Sequence, residues 1–168
     1  MRGNAIFVAP KRSLAQNLMD PEAVRRSLSE PAVDSLAALP ARLIEAVVLN
    51  SIRLGVIEHG RVLYSFIVTP RLVSPGCVLL GGVITTLVDV VGSIALSTCG
   101  LLTTGVSLDI NISYLDVAMI GEEIEIEGKV LHVREPITVI SVKLRKKATG
   151  KLIAEGRHTK YLPASSKL

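Results

Sequence analysis

Residues 77–102, CVLLGGVITTLVDVVGSIALSTCGLL, decide how the rest of the chain is read. The stretch holds a single charged residue, Asp89, in otherwise uncharged surroundings. A run of this length would span a bilayer as a helix, so a membrane span is the first reading to weigh. Three features oppose it. A carboxylate near the middle of a span costs about 2.5–3.5 kcal/mol on insertion scales. Gly81-Gly82 at one end and the region from Gly100 to Gly105 at the other shorten the helical part. Neither boundary carries the Trp or Tyr that mark membrane interfaces. A helix apolar all round is equally satisfied inside the protein's own sheet. The buried helix fits better.

The surrounding composition agrees. The 168 residues suit one domain, and 49% hydrophobic against 20% charged residues excludes a disordered chain. Mean hydropathy is high at +0.48. There is no Trp, with two Phe and three Tyr, so the core is built of Val, Ile, Leu and Ala. Base-stacking surfaces would be thin. The formal charge of +4 is modest, and its densest run, Lys143-Leu144-Arg145-Lys146-Lys147, leads into a turn. A solvated hairpin is expected there, ahead of a nucleic-acid face or an anion contact. Cys77 and Cys99 lack metal-ligand spacing and read as two small buried thiols in a reducing compartment.

Outward from the apolar stretch the period changes twice. Asp20-Pro21-Glu22 starts a short helix running to about Glu30, with a cap, a first-position proline and an acid. A second helical stretch, punctuated by Asp34-Ser35 and Pro40, ends near Asn50. From Ser51 the period becomes two, with strands at Ile52–Val56 and Arg61–Phe66 around a His59-Gly60 turn. After the helix come four more strand-like runs, beginning near Val106, Ile124, Ile137 and Leu152. Arg134-Glu135-Pro136 and Ala148-Thr149-Gly150-Lys151 are turns between them. Strands, one central helix, then a meander predict an α+β fold, an antiparallel sheet wrapped around a long helix.

Chemistry concentrates on few residues. Nucleophile elbows, zinc-protease motifs, phosphate loops and dinucleotide fingerprints are all missing. His59, His132 and His158 fall on a turn, a strand end and an edge-like strand, where surface or structural roles are expected. Asp89 stands apart, because a carboxylate in an uncharged helix is costly to bury unless paired or hydrated. It is either a satisfied core aspartate or a general base or nucleophile with an altered pKa, and the second is expected. Gly81-Gly82 opens the same helix, where unpaired N–H groups hold an oxyanion and glycine permits close approach. Eight residues of helix place Gly81 roughly 12 Å from Asp89. A site using both therefore needs one of them from a second subunit. Ser107 opens the next strand, expected to share a polar face with Asp109, Asn111 and Ser113 while Val106, Leu108, Ile110 and Ile112 face the core.

Three blocks in this order carry a resemblance. They are Gly81 to Asp89, Gly105 to Tyr114, and Ala148 to Lys160. Together they resemble the hotdog-fold acyl-CoA thioesterases, in the small PaaI-like group that includes mammalian acyl-CoA thioesterase 13 and plant peroxisomal relatives. The resemblance covers about Leu43 to Leu162. It divides the chain into an N-terminal helical extension (1–40), a hotdog thioesterase domain (41–163) and a C-terminal tail (164–168). It implies hydrolysis of acyl-CoA thioesters to free acid and CoA without a metal or other cofactor. Asp89 would activate water or attack the thioester carbonyl, and the Gly81 amide of the other subunit, with Gly82, would polarise that carbonyl. Ser107 would place the water or carboxylate. Tyr114, His132, Arg134, Arg157 and Lys160 are the candidates for the CoA phosphates and pantetheine.

Two positions depart from the family pattern. Leu80 stands where a His often precedes the glycine pair, and Ser74 where the preceding loop often has an amide side chain. Neither Leu80 nor the short Ser74 replaces those contacts, which implies altered placement of the thioester, with slow or shifted turnover. The alternatives to a dimeric or dimer-of-dimers thioesterase are a CoA-ester-binding hotdog protein with little turnover and a membrane-anchored interaction protein. The tripeptide Ser166-Lys167-Leu168 matches the signal read by the peroxisomal import receptor, so a peroxisomal location is expected. The segment from Met1 to Met19, with Arg2, Lys11 and Arg12 and no acid, weakly resembles an organellar presequence and reads better as a flexible extension.

Overall fold

The computed structural model describes residues 51–101, 103–134 and 136–163. The two predicted N-terminal helices, Leu102, Glu135 and the terminal tripeptide lie outside the described residues. All that follows concerns the unit Arg42–Leu168.

Six strands and one long helix form in the predicted order. They are β1 (Ile52–Glu58), β2 (Arg61–Ile67), α1 (Gly81–Ser97), β3 (Val106–Tyr114), β4 (Glu123–Arg134), β5 (Ile137–Lys146) and β6 (Leu152–Tyr161). A 3-10 turn, Pro70–Leu72, lies between β2 and α1. The strands make one sheet in the order β1-β2-β4-β5-β6-β3, every neighbouring pair antiparallel. The β1–β2 turn is His59-Gly60, with Gly60 at φ +69°, a conformation glycine adopts without steric cost. β3 lies at the far edge beside β6, so the strand following the helix closes the sheet.

The helix is apolar, yet only one stripe of it meets the sheet. Val83, Ile84, Leu87, Val88, Val91, Gly92, Ala95 and Leu96 are buried, a three-and-four spacing that keeps one face inward. Opposite them on the sheet lie Val62, Phe66, Ile124, Ile126, Ile140, Val142 and Leu144, all without solvent exposure. Two glycines set the depth of contact. A Cβ at Gly156 of β6 would fall 2.7 Å from Val88, and one at Gly128 of β4 would fall 3.0 Å from the Val91 backbone oxygen. Bare backbone at these points lets α1 press directly on both strands, which brings Asp89, next to Val88, down to the end of β6. Among the described residues, no helix is long and apolar enough to cross a membrane.

Two expectations change. The alternation along β3 is interrupted by a bulge between Ser107 and Asp109, so Val106 and Leu108 are exposed rather than core-facing. Ile110 and Ile112 do pack against the core. Cys77 is exposed, in the left-handed region at φ 61°, and Cys99 is only partly buried. The basic run is solvated as expected, and its lysines are also paired: Lys146 with Glu122 at 2.9 Å, and Lys147 with Glu123 at 2.8 Å.

Candidate active site

The flank of α1 beside its buried stripe carries Asp89 and, one helical turn further, Ser93, both partly buried. Asp89 is half-exposed rather than buried, its side chain 49% accessible. The bulge in β3 governs what meets it. Ser107 pairs with Lys160 and Ile110 with His158, so Ser107 shares the helix-facing side with Ile110, while Asp109 pairs with Thr159 on the opposite side. Ser107 is thereby separated from the polar stripe predicted for it and turned toward α1. Its Oγ lies 3.5 Å from Asp89 Oδ1 and 2.8 Å from His158 Nε2. His158 Nε2 is in turn 3.5 Å from Asp89 Oδ1. His158 has no solvent exposure, so of the surface or structural roles expected for it the surface one is excluded, and its ring touches the carboxylate.

The hydrogen-bond inventory fixes a direction for this chain. His158 Nδ1 is buried without a partner, tucked beside Gly92, where an added Cβ would sit 3.0 Å away. A buried N–H left unpaired costs more than a bare lone pair. The proton therefore belongs on Nε2, which donates to Ser107 Oγ. The serine keeps one proton of its own, and Asp89 is the acceptor that remains. Burial pushes the His158 pKa down, and the Lys160 charge lowers it further against the opposing Asp89 and Asp109. The imidazole is held toward its neutral form.

Lys160 completes the cluster. It follows His158 by two residues on the same face of β6 and is only 4% exposed. Its Nζ donates to Ser93 Oγ at 2.8 Å and approaches Ser107 Oγ at 3.5 Å. Burial pushes its pKa down, with Asp89 acting in the other direction. The five residues assigned to CoA do not form one patch. Lys160 points inward, while Arg157 lies on the other sheet surface, 3.8 Å from Glu155. His132 and Arg134 are exposed along the outer half of β4. Tyr114 stands at the start of α1, its hydroxyl 3.0 Å from Thr85 Oγ1 and donating to the Gly81 carbonyl at 3.3 Å.

That start is open. Leu80 is the N-cap in extended conformation and supplies no side-chain cap, and Gly81 and Gly82 are exposed. Val83 and Ile84 donate back to the Leu80 carbonyl at 3.0 and 3.2 Å, which leaves the first two helical N–H groups facing solvent. Ser74 sits in the preceding loop, where its backbone carbonyl accepts from Cys77 at 2.8 Å. Sequence reasoning did not single out His158 and Ser93 for the site, and it offered Lys160 as a CoA contact, whereas Lys160 is buried beside Ser93 and Ser107. The period-two spacing of Gly156, His158 and Lys160 was the available signal, but none of the three is apolar, so the inward face of β6 could not be told from the outward one.

Among the described residues, one long helix packs on a six-stranded antiparallel sheet, a fold that known thioesterases share. The thioesterase superfamily model matches residues 77–153. Human acyl-coenzyme A thioesterase 13 is 41% identical over 126 residues, covering 75% of this chain and 89% of that protein. The mouse protein of the same name is 48% identical over 84 residues, which span half of this chain and 60% of the mouse protein's length. The crystal structure of mouse thioesterase superfamily member 2 superposes with a TM-score of 0.67 at 37% identity, covering 71% of this chain and 87% of that one. The chain belongs to the thioesterase superfamily and is a hotdog-fold thioesterase.

Proposed function

We propose that the protein hydrolyses acyl-CoA thioesters to a carboxylic acid and CoA, with Asp89 as general base or nucleophile. The observation that carries the reading is the half-exposed Asp89 held against the inward-turned Ser107 and buried His158. As a base, Asp89 takes a proton from water while the water oxygen bonds to the thioester carbon. Collapse of the tetrahedral adduct breaks the C–S bond, and CoA leaves as thiolate. As a nucleophile, the carboxylate itself displaces CoA, and water then cleaves the resulting anhydride. In both routes the carbonyl oxygen gains charge, and the open Gly81 and Gly82 amides supply donors for it.

Those amides stand roughly 12 Å along the same helix from Asp89, so we assign them to a second copy facing the first. The edge of β3 supports such a partner. Among the described residues it is a sheet edge, and Val106 and Leu108 at its start, with Tyr161 of β6 beside Val106, leave large apolar surfaces exposed. A homodimer, or a dimer of dimers, is the assembly proposed. The names of the relatives support an acyl-CoA substrate, and the aliphatic composition suits a fatty acyl chain. Ser166-Lys167-Leu168 supports a peroxisomal location, tested by removing the tripeptide from a fluorescent fusion; unchanged import would overturn that part.

Thiol release from acyl-CoAs of varied chain length, with Asp89→Asn beside the wild type, tests the reaction. The variant is expected to lose at least about 100-fold in rate. Equal rates would overturn the role given to Asp89. A second reading, CoA-ester binding with little turnover, draws on Leu80, whose side chain offers no hydrogen bond at the helix start. Tight binding of the ester without thiol release would establish that reading instead.

A further inference from the structure

Lys160 is the buried group that the reaction as written does not use. Four residues face it or its immediate neighbours: Ser93 and Asp89 from α1, Ser107 from β3 and His158 from its own strand. Ser107 pairs with it in the β3–β6 ladder, and Thr138 of β5 pairs with it on the other side, fully buried and neutral. A lysine ammonium only donates, and a serine hydroxyl has two lone pairs and one proton. With His158 Nε2 filling one lone pair of Ser107, the ammonium 3.5 Å away is aimed at the other. The bond to Ser93 at 2.8 Å holds it there, one helical turn from Asp89 on the same helix face.

We infer that Lys160 is a positioning residue: anchored on Ser93, its ammonium fixes the direction of the Ser107–His158 chain so that the serine proton faces Asp89. The inference rests on the thioesterase reading of this site and adds to it a group that never meets the substrate. Its charge works in the same sense. The groups in contact with His158 or beside it are Asp89 from α1, Ser107 from β3, Ile140 from β5 and Lys160 from its own strand, with Asp109 on the opposite sheet surface; burial first, and then the Lys160 charge, oppose protonation of the imidazole. A protonated His158 would pair with Asp89 and occupy the carboxylate needed for water or thioester. Lys160 adds to burial in holding the imidazole neutral, which leaves Asp89 free.

The test compares the wild-type chain with Lys160→Met and Ser93→Ala. The ring nitrogens of His158 are titrated by NMR, and thiol release from an acyl-CoA is followed against pH. In the wild type the neutral ring should carry its proton on Nε2. In Lys160→Met the imidazole midpoint should rise by about half a unit or more. The acid limb of kcat should follow it upward, with kcat down about tenfold and KM within twofold. Ser93→Ala, which loosens the anchor without removing a buried charge, should move both in the same direction by less. An unmoved midpoint in Lys160→Met overturns the inference, as does a raised KM with unchanged kcat, which would make Lys160 a CoA contact. If Lys160→Met does not fold, Ser93→Ala decides, and an unmoved midpoint there overturns the inference. The NMR titration needs no turnover. A wild type that releases no thiol but shows the shift would count against the reaction and leave the role of Lys160 standing.

Discussion

The charges of the β5–β6 hairpin and those around Asp89 obey opposite rules. At the hairpin, Lys146, Lys147 and Lys151 each meet a carboxylate within 3.0 Å, in contact with solvent. The carboxylates there are held below their usual range: Asp116 by Lys151, Glu122 by the Met119 N–H and Lys146, and Glu123 by Lys147. Around Asp89 a lysine and a histidine are buried next to a carboxylate, yet the lysine's bonds are to two hydroxyls. Burying a cation without a close partner costs stability. Solvated pairs of the hairpin kind contribute little either way. The comparison teaches that the hairpin charges dress the surface, whereas the Asp89 cluster gives up stability for a particular arrangement of protons.

The sharpest test of that division removes one N–H and nothing else. Gly81→Pro deletes the first amide of α1 at the position where a helix tolerates proline. Leu80 already has the extended conformation a residue before proline requires, at φ −64° and ψ 135°. A Cβ at Gly81 would meet the Tyr114 ring at 3.6 Å, an ordinary contact. The fold should stand and thiol release should fall about 10²–10³-fold, the cost of one oxyanion donor. Normal turnover would remove the helix start from the site.

Next in size is a pair of glycine substitutions, one in each region. Gly156→Ala drives a methyl to within 2.7 Å of Val88, at the point where α1 rests on β6. Overpacking of that kind costs about 1–3 kcal/mol, and the displaced helix carries Asp89 with it, so both melting temperature and kcat should drop. Gly150→Ala at the hairpin meets no atom within 4 Å, and only its φ of +70° resists the change. It should cost about 1–2 kcal/mol and leave kcat alone. If Gly156→Ala lowered stability with kcat unchanged, the close helix–strand contact would not be what positions Asp89.

Much of this was legible before any coordinates. The order of elements, the His59-Gly60 turn, the glycine-bounded helix and the singular Asp89 all follow from local pattern, because turn chemistry and periodicity are local physics. The bulge in β3 is not local. Val106 to Ile112 alternates without a fault in sequence, and only its pairing with β6 reveals the extra residue that turns Ser107 inward. His158 was not singled out, and Lys160 was assigned to CoA, for a related reason. Polar residues on an inward face contradict the period-two rule unless a polar site lies beneath them. The sequence singled out Asp89, Gly81 and Ser107, the resemblance implied roles for them, and the geometry supplied the groups beside them.

The smallest effects separate the two regions by pH. Folding depresses the pKa of His158, so the unfolded chain takes up a proton first as pH falls below about 6.5, and stability drops from there. The hairpin carboxylates are also depressed, but from unfolded values near 4, so their contribution persists until about that pH and is lost below it. Thermal melts from pH 8 to pH 3 should show two declines, the upper from the site and the lower from the surface. His158→Gln should flatten the upper decline and leave the lower. Lys147→Ala, which unpairs exposed Glu123, should soften the lower one with a melting temperature at pH 7 within about 3 °C of wild type and unchanged thiol release. An upper decline that survived in His158→Gln would mean that another group titrates there. The contrast between a site that spends stability and a surface that does not would then lose its histidine.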